Sequence, residues 1–148
     1  MLHILFEQID DDNALQELVE NAGSVALQKL GKEASDVSIV LTNDTEITRL
    51  NTDYRGFEKP TDVLSFPADM QEPDAGRPYL GDVIISVEYA QRQADSSGHS
   101  LHQEVELLVV HGLLHLSGYD HYEGDEKEEM WSLQASILDT LNNPLRPE

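Results

Sequence analysis

The stretch Leu101–Leu116 constrains this chain more than any other part of it. Ser100 with Gln103 is a capping-box pattern that opens a helix there, and Gly118 suits the left-handed residue that closes one. Val105, Leu107, Leu108, Val109, Val110, Leu113, Leu114 and Leu116 leave almost no polar face in its second half. A helix that is apolar nearly all round belongs inside a core. It carries His111 and His115 with it. Buried imidazoles need partners, because an unsatisfied polar group in apolar surroundings is costly. They are either core histidines bonded to carbonyls or metal ligands.

The other elements read around this helix. Leu2, Ile4 and Phe6 alternate with His3, Leu5 and Glu7, which predicts a strand. The run Asp10 to Asn13 is a turn and helix start. Leu15, Leu18, Val19, Ala22, Val25 and Ala26 then recur at helical spacing to about Leu30. Val37 to Leu41 predicts a second strand. Asn43 with Glu46 fits a capping box for a short helix through Ile47 and Leu50. Thr61 to Phe66 predicts a third strand stopped by Pro67, and Asp82 to Ser86 a fourth, followed by a helix to about Asp95. Residues 67–79 hold three prolines and a glycine and predict an exposed loop. A last helix is expected from about Asp125 to Leu141, with Trp131, Leu133, Ile137 and Leu141 inward. The order βαβαββααα predicts one α+β domain over residues 1–148, a small mixed four-stranded sheet packed with about five helices.

Composition narrows the chemistry. No apolar run approaches the roughly 18 residues that span a bilayer. The start MLHILFEQIDDDN has no basic opening and no small-residue cleavage site, so no signal peptide is expected. There are no cysteines, so any metal must be held by nitrogen and oxygen. The net charge of −20 comes from 29 acidic and 9 basic residues. That argues against non-specific nucleic-acid binding, which depends on Lys and Arg. Five of the nine cations, Arg49, Arg55, Lys59, Arg77 and Arg92, nevertheless lie between positions 49 and 92.

His111 and His115 are four apart and share one helix face. His121 follows Gly118, where the chain can turn back. Three neutral imidazoles converging on one point, with a position left for water, have the composition of a catalytic zinc site. The spacing matches the metzincin zinc-binding signature with one departure. A peptidase places its general-base Glu directly after the first His, and here that residue is Gly112. Two readings of Gly112 stand: close approach of substrate or backbone to the metal face, or plain tight helix packing. Asp120 is either a carboxylate orienting His121 or a turn former. The acidic run Glu123 to Glu126 is assigned to a loop and helix N-terminus. His3, His99 and His102 lack partner spacing and are expected at the surface.

Upstream, Arg55 sits where a helix breaks at Gly56, with Lys59 four residues on. A guanidinium matches phosphate geometry in a bidentate fork. The pair either binds phosphate beside the metal or is neutralised by some of the 29 acids.

Three blocks resemble the YbeY family, bacterial rRNA-maturation endoribonucleases first described as predicted metal-dependent hydrolases. They are NTDYRGFEKPTDVLSFP at 51–67, LGDVIIS at 80–86 and HGLLHLSGYDH at 111–121. The spacing between them is similar as well, whereas the first 35 residues and the last 20 add little. The resemblance implies a zincin-like fold, one zinc per chain held by His111, His115 and His121, and Arg55 as a functional residue. It also implies cytoplasmic action on single-stranded rRNA segments, in maturation of the 16S rRNA 3′ end and in ribosome quality control. Components of the small ribosomal subunit would be partners.

On this reading His111 and Arg55 are catalytic, and Arg55 and Lys59 hold the phosphate. The nucleophile is either a water or the ribose 2′-OH. Imidazole ligands also suit nickel and other divalent ions. Two alternatives remain. One is a peptidase-like zinc hydrolase, which Gly112 disfavours. The other is a ribosome-associated factor without catalysis, its metal closed by a fourth side chain such as Asp120.

Overall fold

The computed structural model describes residues 1–68, 78–119 and 124–146. The elements run β1 (Leu2–Phe6), α1 (Asn13–Lys29), β2 (Asp36–Thr42), α2 (Asp44–Arg55), β3 (Val63–Pro67), β4 (Tyr79–Ser86), α3 (Val87–Ser97), α4 (Leu101–Leu116) and α5 (Gly124–Thr140). This is the expected α+β arrangement, in the expected order. The sheet order is β1-β2-β4-β3. Strands β1, β2 and β4 are parallel, and β3 runs antiparallel to β4 along one edge.

Local signals account for most boundaries. Asp12 caps α1 by accepting from the Leu15 N–H at 3.1 Å. Both halves of the Ser100–Gln103 capping box form on α4, and Gly118 follows its C-cap Ser117 at φ 97°. At α2 only half of the expected box forms. Asn43 accepts from the Glu46 N–H at 2.9 Å, but the Glu46 carboxylate turns to Arg49, whose guanidinium holds it below the usual carboxylate range. That helix runs to Arg55 and ends on left-handed Gly56, at the break expected there. Strand β3 does not stop before Pro67 but includes it, opposite Gly81, because an edge strand tolerates a residue that donates no N–H. Strand β4 starts at Tyr79, inside the expected loop; the core of that loop, 69–77, lies outside the described residues.

The sheet is covered on both faces. Ile39, Leu41, Val83 and Ile85 point into the main core with α1, α4 and α5. Their neighbours Val40 and Ile84, with Leu64 of β3, meet Ile47 of α2 in a smaller cluster on the other face. Helix α4 touches β3, β4, α1, α3 and α5, which explains why its sequence shows no wide polar face. Val105, Val109, Val110, Leu113 and Leu114 are fully buried in it.

Candidate active site

His111 and His115 emerge from the buried helix α4 onto one face, both half-buried. Their rings meet edge to face with centroids 4.6 Å apart, and the two Nε2 atoms are 3.1 Å apart. Two nitrogens on one tetrahedral zinc, each at about 2.1 Å, lie about 3.4 Å from one another. The donor spacing therefore fits a divalent ion. Ligation also requires a free lone pair on Nε2, and α5 supplies the condition. Gln134, 1% exposed, presents Oε1 to His111 Nδ1 at 2.9 Å. A carbonyl oxygen can only accept, so the neutral His111 ring carries its proton on Nδ1 and leaves Nε2 bare. One turn earlier on α5, Trp131 stacks on the His111 ring at 6.0 Å.

Among the described residues no three His, Cys, Asp or Glu side chains gather about one point. The third expected ligand, His121, lies outside the described residues, as does Asp120.

Gly112 is explained by packing. A Cβ on it would stand 2.7 Å from Val83 Cγ1 and 3.4 Å from Ser65 Oγ. The position where a peptidase carries its base is thus pressed against β4 and β3, with no room for a carboxylate. Of the two readings of this glycine, the structure supports tight packing.

Two clefts meet at His111. One, of about 950 Å³, is lined by Tyr54, Arg55, Ser65, Phe66, Asp82, His111 and His115 among others. The second, of about 770 Å³, holds Arg92, His99, Trp131, Gln134 and Arg146. Asp62 and His111 line both. Arg55 is exposed and makes no ion pair among the described residues. Lys59 also makes none; it sits over the Phe57 ring outside the cleft lining, 5.5 Å from the centroid. The other arginines nearby are neutralised: Arg49 by Glu46 and Asp53, Arg92 by Asp44, Arg146 by Asp139. Hydrogen bonds to their carboxylates raise the pKa of Arg49 and of Arg92. Asp82 accepts from the Tyr79 hydroxyl, whose pKa is pushed up by burial and then by that bond.

Asp62 is braced. It accepts from the Val63 N–H at 2.7 Å and from Gln93 Nε2 at 3.2 Å. The same amide nitrogen donates to buried Glu104 at 3.0 Å, and His99 Nε2 contacts the other Glu104 oxygen. His99 is therefore half-buried and paired, where a surface position was expected. The left-handed Gly98 turns it back onto the first turn of α4. Gln134 and Asp62 were missed from the sequence. The one available sign for Gln134 was a polar residue on the inner stripe of α5, between Trp131 and Ile137.

A model of the family described as endoribonuclease YbeY matches residues 4–142. The chain belongs to the YbeY family. Among curated relatives, endoribonuclease YbeY of Aquifex aeolicus is 46% identical over 128 residues, covering 86% of this chain and 84% of that one. The Carboxydothermus hydrogenoformans protein of the same name is 44% identical, covering 93% of each chain. A solution structure of a Thermotoga maritima protein superimposes with a TM-score of 0.61 at 28% identity, covering 97% of this chain and 94% of that one. Membership in the YbeY family makes this chain an enzyme of the hydrolase class.

Proposed function

We propose that this protein is a metal-dependent endoribonuclease that cuts single-stranded RNA. Support comes above all from one juxtaposition: an exposed Arg55, with no carboxylate partner among the described residues, faces the same cleft as the paired Nε2 atoms of His111 and His115. Relatives named as endoribonucleases carry the RNA substrate to this site. His111 and His115, with His121, would hold one zinc; nickel suits the same nitrogen donors. A bound divalent ion supplies Lewis-acid polarisation of the phosphodiester and makes water more acidic. Gln134 keeps His111 in the ligating tautomer. Arg55 grips the non-bridging oxygens and offsets the charge that grows on them as the bond breaks. Lys59 would hold a neighbouring phosphate. The cellular setting we propose is ribosomal RNA, with maturation of the 16S 3′ end, ribosome quality control and small-subunit partners in the cytoplasm.

The test joins metal analysis of the purified protein to cleavage of a labelled single-stranded RNA. One equivalent of metal and cleavage that His115→Ala and Arg55→Ala each abolish are expected. Equal cleavage by all three proteins would sink the proposal, because the activity would then belong to a contaminant. Product ends separate the two nucleophiles: a 2′,3′-cyclic phosphate identifies the ribose hydroxyl.

A further inference from the structure

Among the described residues four large hydrophobic side chains are exposed: Met1 and Leu5 at the start of the chain, and, side by side near the cleft, Tyr54 at 69% and Phe57 at 49%. The two aromatics stand on the last turn of α2 and the loop just after it, beside Arg55. The Tyr54 ring leans on Phe66 at 5.0 Å with a 54° tilt, which fixes it as one wall of the cleft that holds the histidines. The Phe57 ring carries both cations: the Arg55 guanidinium carbon is 5.4 Å and Lys59 Nζ 5.5 Å from its centroid. The loop is tied down from behind, since buried Asn51 donates to the Lys59 carbonyl at 2.9 Å. A wet aromatic wall thus stands next to two cations without carboxylate partners among the described residues, in a chain of net charge −20. It has the make-up of a single-strand binding surface, in which rings stack bases and cations follow the backbone. The second cleft lacks this character, because its arginines, Arg92 and Arg146, are already paired with Asp44 and Asp139.

We propose that Tyr54 is the stacking platform for an unpaired nucleobase next to the phosphate gripped by Arg55, while Phe57 holds Arg55 and Lys59 together as a backbone clamp. This rests on the RNA reading above and adds to it the feature that selects single strands: a base already paired and stacked in a duplex has no face to offer Tyr54. It also sets the polarity of the site, with the bound strand on the α2 side of the histidines.

The experiment is fluorescence-anisotropy binding of a labelled, 2′-O-methylated single-stranded oligoribonucleotide, which cannot be cut through its 2′-OH groups, to metal-loaded wild type, Tyr54→Ala and Tyr54→Phe. Loss of one base stack should weaken binding by about 5- to 100-fold in Tyr54→Ala. Tyr54→Phe should stay within about twofold of wild type, since the ring face is kept. An abasic position scanned along the oligonucleotide should weaken wild type at one place and leave Tyr54→Ala unaffected there. Equal affinity of Tyr54→Ala and wild type overturns the platform while leaving the nuclease reading intact. So does a loss in Tyr54→Phe as large as in Tyr54→Ala, which would assign the effect to the hydroxyl. If wild type neither binds nor cuts single-stranded RNA, the nuclease reading itself fails and the platform with it.

Discussion

Gln134 shows how much a single uncharged side chain can decide. Its amide oxygen sets which nitrogen of His111 is bare. Gln134→Leu removes that acceptor and frees the ring to take the other tautomer. We expect metal affinity to fall about 10- to 100-fold, read by competition with a chromophoric chelator; unchanged affinity would show that ring orientation is set elsewhere. Glu106 offers a second test at this scale. Burial pushes its carboxyl above the usual range, against the pull of the Asn143 amide at 3.0 Å. The folded state therefore favours the protonated form. Its stabilising share is fully present below the ordinary Glu pKa of about 4.3 and is lost as pH rises through the raised value. Glu106→Gln, which still accepts from Asn143, should melt higher than wild type at pH 7. The gap should close below pH 4, and a gap that is constant with pH would refute the assignment. The histidine pair was readable in the sequence because it rests on near-neighbour spacing, whereas spacing left Arg55 open between phosphate binding and neutralisation, and only the family resemblance singled it out. Gln134, Asp62 and the His99–Glu104 pair were not, because each depends on which distant helix faces which.

At the level of elements, α4 and β4 meet closely where Gly112 faces Val83. Gly112→Ala should destabilise the protein by about 1–3 kcal/mol through overpacking on Val83. Val83→Ala in the same chain should return part of that loss, and a double-mutant cycle in urea measures the coupling. Strict additivity of the two changes would mean that the contact carries no strain. The order of strands and helices was legible because periodicity changes cleanly from two to 3.6 along the chain. Strand ends were less so. Pro67 reads as a stop, yet an edge place in the sheet admits it, and edge or centre is a property of topology that no local pattern contains. The half-formed box on α2 has a local origin instead: Arg49, three residues on, competes for Glu46.

For the whole molecule, two quantities follow from the distribution of charge and core. Arg55 lines the cleft and Lys59 flanks it, neither with a carboxylate partner among the described residues, and a single strand contributes a salt slope of about −0.7 per phosphate neutralised. A plot of log affinity against log salt should therefore have a slope near about −1.4. A value beyond about −4 would require a larger cationic surface than these two residues. The main core is built from α1, α4, α5 and the sheet without help from the histidines. Chelation should abolish RNA cleavage and lower Tm by a few degrees while far-UV circular dichroism keeps its helical signal. Collapse of that signal would mean that the metal organises the fold. The placement of α4 has one more consequence, which concerns time. Backbone amides around Val109–Leu114 lie in the best-covered turns of the chain and can exchange with solvent only when the molecule opens globally. The segment after Arg55 sits at a helix end in water, held by far fewer bonds, the one from Asn51 to the Lys59 carbonyl among them, and can open without unfolding the core. One jaw of the cleft is thus a fixed anvil, and adjustment to RNAs of different shape falls to the other.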